Sequence, residues 1–474
     1  MTNTLDAIMI VLGWIIIIYM AFVILAYSTM LIIALIQLRK YRDSDQLKKD
    51  DDYIDSMFSK PVSIIVPAYN EEAGIIDSLH SLLSLRYPDT ELIVVNDGST
   101  DSTQKKIIDY FKMRPIDKTV RVQIQTKPIN QIFQSTVYPH LFLIDKENGG
   151  KADALNAGIN MSKNPYFCSI DGDSILDGNS LLRVMRPIIL SDGNVIAAGG
   201  NVRIANGLDI HLGSIFGNSL SKNSLVLMQI VEYVRAFLMG RIALSKYNLI
   251  LIISGAFSVF SKKHVIEVGG YSTNMIGEDM ELVVHLHRYI KDKKLNKRIE
   301  FVADPVCWTE APQSLSDLRK QRRRWHQGLI ENLWKHKKMT LNPKYGTIGL
   351  ISLPYFWIVE CLGPIVELIG YLYIIISFFL GNLYFEYSIL LILLFILYGS
   401  IFSIASTLLE AWSMNVYPKT RELTKVLFIS LSEIFWYKPI TLLFRCEGIL
   451  RFILGRNDWG TLKRRGLSKE GVSK

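Results

Sequence analysis

Two stretches almost without charge constrain this chain before anything else does. Residues 8–38, IMIVLGWIIIIYMAFVILAYSTMLIIALIQL, contain no Asp, Glu, Lys or Arg, and residues 361–410 contain only Glu367, Glu386 and Glu410. About 20 consecutive apolar residues suffice for a helix to cross a bilayer. A membrane protein is therefore expected, and the mean hydropathy of +0.23 agrees. Between the two stretches lie about 300 residues of mixed composition, enough for an aqueous domain with a real core. Disorder, a collagen-like repeat and a disulfide scaffold are excluded. Cys168, Cys307, Cys361 and Cys446 lack CxxC spacing and are expected to be free thiols.

The charges flanking the apolar runs suggest an orientation. The start, MTNTLDA, has no Lys or Arg and the run after it is too long for a signal peptide, so residues 1–40 read as an uncleaved anchor. Arg39, Lys40 and Arg42 follow at once, which puts the N-terminus outside and the next domain in the cytoplasm. Cys361–Leu380 and Tyr387–Leu409 each read as a span, joined by the loop GNLYFE. Glu367, inside the first, should face protein or a polar path. Thr347–Val359 is too short to span, and Leu427–Leu454 is interrupted by Glu433, Lys438, Pro439, Arg445, Glu447 and Arg451. Both read as helices lying in the interface. Three spans leave the basic tail 461–474 in the cytoplasm; a fourth would move it outside. The expected organisation is an anchor (1–40), a cytoplasmic domain (41–340), interfacial and membrane helices (341–460) and a basic tail (461–474). The expected location is the cell membrane, as a multi-pass protein in contact with lipid.

The cytoplasmic domain opens on PVSIIVPAYN (61–70), a β-branched run ending in a loop. Residues 71–86 carry a helical stripe of Ile75, Ile76, Leu79, Leu82 and Leu83. Glu91–Val95 then runs into NDGSTD (96–101). Strand, helix, strand predicts a right-handed βαβ unit with ligands at the carboxyl ends of its strands, where Tyr69, Glu71 and Asp97 fall. Taken alone, Asp97 is equally a turn residue before Gly98. Neither GxGxxG nor GxxxxGK[ST] is present, so neither a dinucleotide fold nor a P-loop ATPase is indicated.

A further strand, Tyr166–Ile170, leads into Asp171-Gly-Asp173. Two carboxylates at a strand end can converge on one Mg²⁺ or Mn²⁺ that keeps positions open for phosphate, although solvated turns show the same pattern. His285 and His287 do not share a helix face and make a poor metal pair. Glu278 and Asp279 open a helical stripe of Leu282, Val283, Leu286 and Ile290. They are either dipole-complementing acids or a general base. LRKQRRRWHQG (318–328) is a charge run that could be a solvated or lipid-facing surface. The tryptophan inside it points instead to a site: Arg forks bind diphosphate and an indole face stacks on a sugar. The net charge of +9 suits the cytoplasmic parts of a membrane protein, so nucleic acid is not an expected partner.

The motifs stand in one order: PAYNEE (67–72), NDGSTD (96–101), NGGKADALNAG (148–158), DGD (171–173), SGAF (254–257), GED (277–279) and QRRRW (321–325). That series, over residues 61–328, resembles the membrane-bound, inverting glycosyltransferase family 2, which includes cellulose, chitin, hyaluronan and poly-N-acetylglucosamine synthases. The resemblance implies a GT-A fold, Rossmann-like in its first half, and a nucleotide-sugar donor such as a UDP-sugar. It implies that Tyr69, Glu71 and Asp97 hold the nucleoside, and that Lys151 and Asp153 lie in the nucleotide-contacting segment. Asp171 and Asp173 would bind a divalent metal, Mg²⁺ or Mn²⁺, with the diphosphate. Asp279 would be the base with Glu278 beside it. Gln321, Arg324 and Trp325 would hold the acceptor sugar and the leaving diphosphate. The acceptor would be a glycan or, alternatively, a membrane lipid. Residues 114–145 are longer than the family's usual link and predict an added hairpin. No attached receptor domain is expected after the membrane region. Export of the product or its control would then call for a partner protein.

Overall fold

The computed structural model describes residues 2–46, 59–211, 214–217, 220–380, 385–414 and 420–455. Twelve strands are present among them: β1 (Val62–Ala68), β2 (Thr90–Asp97), β3 (Met113–Ile116), β4 (Ile129–Ser135), β5 (Leu141–Lys146), β6 (Tyr166–Ile170), β7 (Ile175–Leu176), β8 (Val195–Ile204), β9 (Asp209–His211), β10 (Ser214–Gly217), β11 (Phe257–Ser261) and β12 (Arg298–Thr309). Ten form one mixed sheet in the order β3-β4-β5-β2-β1-β6-β11-β8-β12-β7; β9 and β10 pair separately. Its centre is parallel, with β1 between β2 and β6 and β5 beyond β2. Such strands are covered on both faces, which explains runs with no polar alternation. Ile64, Ile65 and Val66 are 0–1% exposed, each contributing about 1.5–3 kcal/mol of burial. The predicted βαβ unit is there, with helix Ile75–Leu83 burying Ile75, Leu79 and Leu82. The predicted insertion is an antiparallel β3–β4 hairpin that continues the sheet past β5.

Helix Lys151–Met161 packs unusually close to β1. A Cβ on Gly158 would lie 2.3 Å from Ile65 Cγ2, so the last glycine of NGGKADALNAG is what lets helix and strand touch. This seats the helix N-terminus, and with it Lys151, at the carboxyl ends of β1, β2 and β6.

Among the described residues, four helices are long and apolar enough to cross a membrane: 7–42, 348–379, 386–413 and 420–453. The chain is a multi-pass membrane protein by that measure. Two features differ from the sequence expectation. Residues 348–361 are helical and continue, after a bend at Leu362, into Gly363–Leu380. Residues 427–453 belong to a longer helix starting at Thr420, whose second half, Lys438–Ile453, lies along the helix Leu315–Lys335. Glu447 there pairs with Arg319 and Arg323 at 2.6 and 3.1 Å. Glycine at 448 permits the close crossing, since a Cβ would meet the Arg323 carbonyl oxygen at 2.7 Å. Residues 381–384 of the expected loop and the basic tail lie outside the described residues. The four cysteines are free thiols, as expected.

Candidate active site

The carboxyl ends of the parallel strands open onto a cavity of about 1510 Å³. Tyr69, Glu71, Asp97, Lys151, Asp171, Asp173, Glu278, Asp279, Gln321, Arg324 and Trp325 all line it. Every site residue singled out from the sequence is therefore on its wall except Asp153, which is 5% exposed and sits behind it.

The loops at the mouth are tied together by backbone groups. The Asn70 side-chain oxygen accepts from the Thr100 amide at 2.8 Å, and the Glu71 amide donates to Thr103 Oγ1 at 2.9 Å. Asn70 sits at φ 56°, a left-handed conformation that asparagine tolerates better than most residues. Tyr69 is left 46% exposed at the rim.

Asp97 is only 2% exposed, and both of its oxygens are engaged. One accepts from Lys146 Nζ at 2.7 Å and the Gly149 amide at 3.0 Å; the other accepts from the Gly150 amide at 2.7 Å. Lys146 Nζ also lies 2.6 Å from Asp153 Oδ2. The structure thus ties Asp97 and Asp153 to one fully buried ammonium and uses Asp97 to shape the Gly-Gly turn before Lys151. Sequence reading missed Lys146. A lysine ending a strand just before NGG was its only signal.

Beyond that turn the acids gather. Lys151 Nζ lies 2.6 Å from Asp171 Oδ1 and 3.6 Å from Glu278 Oε1. β11 pairs with β6 so that the SGAF segment faces both acidic motifs. The Asp171 amide donates to the Ala256 carbonyl at 3.4 Å, and a Cβ on Gly255 would lie 2.8 Å from Asp279 Oδ2. Gly255 therefore makes room for the Asp279 carboxylate. Burial pushes the Glu278 carboxyl up to about 7, with Lys151 opposing and Asp279 adding to the rise. Among the described residues no group of three or more His, Cys, Asp or Glu side chains is arranged to hold a metal alone.

The far wall comes from helix Leu315–Lys335. Gln321 and Trp325 fall on one face of it, as their spacing predicts. Gln321 Oε1 is buried with no hydrogen-bond partner among the described residues. Trp325 is 45% exposed, with the Arg322 guanidinium 4.4 Å from its ring. Arg322 is itself buried on Glu232 at 2.6 Å, so this part of the charge run is not a solvated face.

A third wall had no place in the sequence reading. The helical stretch from Ser224 to Lys246 contains a π-helical turn at Arg235–Arg241, a feature often found at functional sites. Tyr233 lies 6.2 Å from Trp325 between ring centroids and stacks on Phe237 at 5.5 Å; Arg241 covers Phe237 at 3.7 Å. Burial brings Arg241 down to about 10, opposed by the Asp279 charge. The i, i+4, i+8 spacing of Tyr233, Phe237 and Arg241 was the available signal. From here the cavity runs on between the apolar helices, where Tyr27, Glu360, Glu367, Tyr398, Glu433 and Lys438 line it. Glu367 faces Lys438 at 2.9 Å, turned inward as its sequence position required.

Residues 63–269 match the model of "Glycosyl transferase family 2". Over that segment the chain is similar to the family. The matched segment carries most of the mixed, GT-A-like sheet, with Asp97, Asp171 and Asp173 near its strand ends. Among curated relatives, the chain is 32% identical over 290 residues to a poly-beta-1,6-N-acetyl-D-glucosamine synthase of Staphylococcus epidermidis, covering 59% of each chain. It is 31% identical over 301 residues to the enzyme of the same name from Staphylococcus aureus strain COL, covering 63% of this chain and 61% of that one. The match thus spans about three fifths of the length of these relatives. A mannosyltransferase from Pyrobaculum calidifontis, in complex with GDP-Man and Mn²⁺, overlaps at a TM-score of 0.49 with 17% identity, covering 93% of this chain and 100% of that one.

Proposed function

We propose that this protein is an inverting, metal-dependent glycosyltransferase that moves a sugar from a UDP-sugar to a growing cell-surface or extracellular polysaccharide. The observation that carries this reading is one continuous cavity. It joins the Asp171/Asp173 strand end, the Asp279 carboxylate and the Trp325 platform, then continues between apolar helices.

In this reading Tyr69 and Glu71 flank the nucleoside, and Asp97 acts through the Gly149–Gly150 turn that it holds. Asp171 and Asp173 offer hard oxygen donors suited to Mg²⁺ or Mn²⁺. With no third protein ligand in place among the described residues, the diphosphate would complete the shell. When bound, the ion stabilises the leaving diphosphate. Asp279 takes the proton from the acceptor hydroxyl as it attacks the anomeric carbon, a role worth about 10²–10⁴-fold. Glu278 stands beside it, its carboxyl raised by burial. Gln321 and Arg324 meet the acceptor and the diphosphate, while Trp325 stacks on the terminal sugar. The Tyr233–Phe237 wall gives an extended acceptor somewhere to continue. Because one carboxylate suffices and no enzyme-linked intermediate forms, the configuration at the anomeric carbon inverts.

The same reading puts the catalytic domain in the cytoplasm and the N-terminus outside. The ion pairs of Arg319 and Arg323 with Glu447 support keeping Lys438–Ile453 at the cytoplasmic interface. A second reading, transfer to a membrane lipid, draws on the same opening of the cavity between apolar helices. Product sizing after a screen of UDP-sugars with detergent-purified protein distinguishes the two: long chains support the first, a singly glycosylated lipid the second. Turnover of no UDP-sugar, or full activity in EDTA, would overturn the proposal.

A further inference from the structure

Lys151 sits in an unexpected place for a cation. It is the first residue of helix Lys151–Met161, where the positive end of the helix dipole disfavours an ammonium. Gly150, at φ 86°, turns the chain into that position, and Asp97 holds the turn by the Gly149 and Gly150 amides. What offsets the dipole is the acidic cluster: Nζ contacts Asp171 Oδ1 at 2.6 Å and stands 3.6 Å from Glu278 Oε1. The Asp279 charge acts on the same ammonium.

We propose that Lys151 is the resident counter-ion of this acidic centre and makes divalent-metal binding conditional on a nucleotide diphosphate. This rests on the proposed function. An ammonium on Asp171 Oδ1 occupies an oxygen that an arriving cation needs, and its charge repels that cation. Among the described residues no third ligating side chain joins Asp171 and Asp173, so the centre has no surplus donors to overcome the competition. A diphosphate changes the balance. Its oxygens accept the Lys151 ammonium and release Asp171, and they supply metal ligands themselves. Metal and diphosphate therefore bind with positive coupling, and by linkage each strengthens the other equally. A single flexible lysine, with three rotatable donors, can make that exchange without movement of the backbone.

The experiment is a direct Mn²⁺ titration of the full chain in detergent by electron paramagnetic resonance, with and without UDP and without any acceptor. Wild type should bind Mn²⁺ alone weakly. Lys151→Met should bind Mn²⁺ alone about tenfold or more tightly, within the usual range of coupling, and UDP should then add less than it does to wild type. Lys151→Arg, which keeps the charge, should behave like wild type; Lys151→Gln serves as a second neutral variant should Lys151→Met not fold. Neutral variants that bind Mn²⁺ alone no better than wild type, while UDP-dependent uptake persists, would overturn the counter-ion role and leave the proposed function standing. Absence of Mn²⁺ uptake by any form, even with UDP, would overturn both.

Discussion

Replacing Lys146 with methionine tests how the donor end of the cavity is held in shape. The side chain is 0% exposed, and its ammonium lies 2.7 Å from Asp97 and 2.6 Å from Asp153, themselves 3% and 6% exposed. Methionine nearly matches the volume but leaves two buried carboxylates without their shared cation. Breaking a buried pair by removing one partner costs about 3–5 kcal/mol. Here the Gly149, Gly150 and Lys127 amides still donate to the two acids, so about 3 kcal/mol is expected. For a domain of this size that lowers the melting temperature by roughly 6–12 °C, measurable by scanning fluorimetry in detergent at one fixed scan rate. UDP affinity should fall with it, because Asp97 positions the turn carrying Lys151. Removing all three charges together, as Lys146→Met with Asp97→Asn and Asp153→Asn, should restore much of the stability, since no buried charge is then unpaired. A Lys146→Met protein with unchanged melting temperature and unchanged UDP affinity would refute the reasoning.

Three further outcomes are expected. Asp279→Asn should leave UDP binding nearly intact but slow transfer on the order of 10²-fold or more in single-turnover assays; a rise in apparent donor KM alone would contradict its assignment as base. Trp325→Ala should stay folded and bind UDP, yet lose transfer to glycan or lipid acceptors through a stacking contact of roughly 1–2 kcal/mol, whereas undiminished transfer would remove the platform role. Glu281 is drawn down to about 2 despite burial by His336, Lys335 and Ser272. Its stabilising contribution is complete above the usual carboxylate range and is lost as pH falls through about 4 toward 2. Glu281→Gln should therefore flatten the acid limb of a melting-temperature profile, and identical profiles for the two proteins would exclude that account.

Much of this architecture was legible in local pattern. Charge-free runs betray bilayer-length helices, and unbroken β-branched runs mark β1 and β2 as a helical stripe marks Ile75–Leu83, because those signals belong to contiguous residues. The motif acids Asp171, Asp173, Glu278 and Asp279 could be put at strand ends and helix starts for the same reason. Which group each acid meets was not legible. Asp97 alone fits a nucleoside contact or a turn equally well. Only packing shows it gripping Lys146 and the Gly-Gly turn, since those partners come from β5 and the loop after it. Gly255 reads as an ordinary loop glycine until β11 pairs with β6 and the Asp279 carboxylate occupies the space that a Cβ would need. The wall of Tyr233, Phe237 and Arg241 lies 84 to 92 residues from Trp325 in the chain. Periodicity and composition report on neighbours along the chain, whereas a cavity is made by side chains that only the tertiary fold brings together.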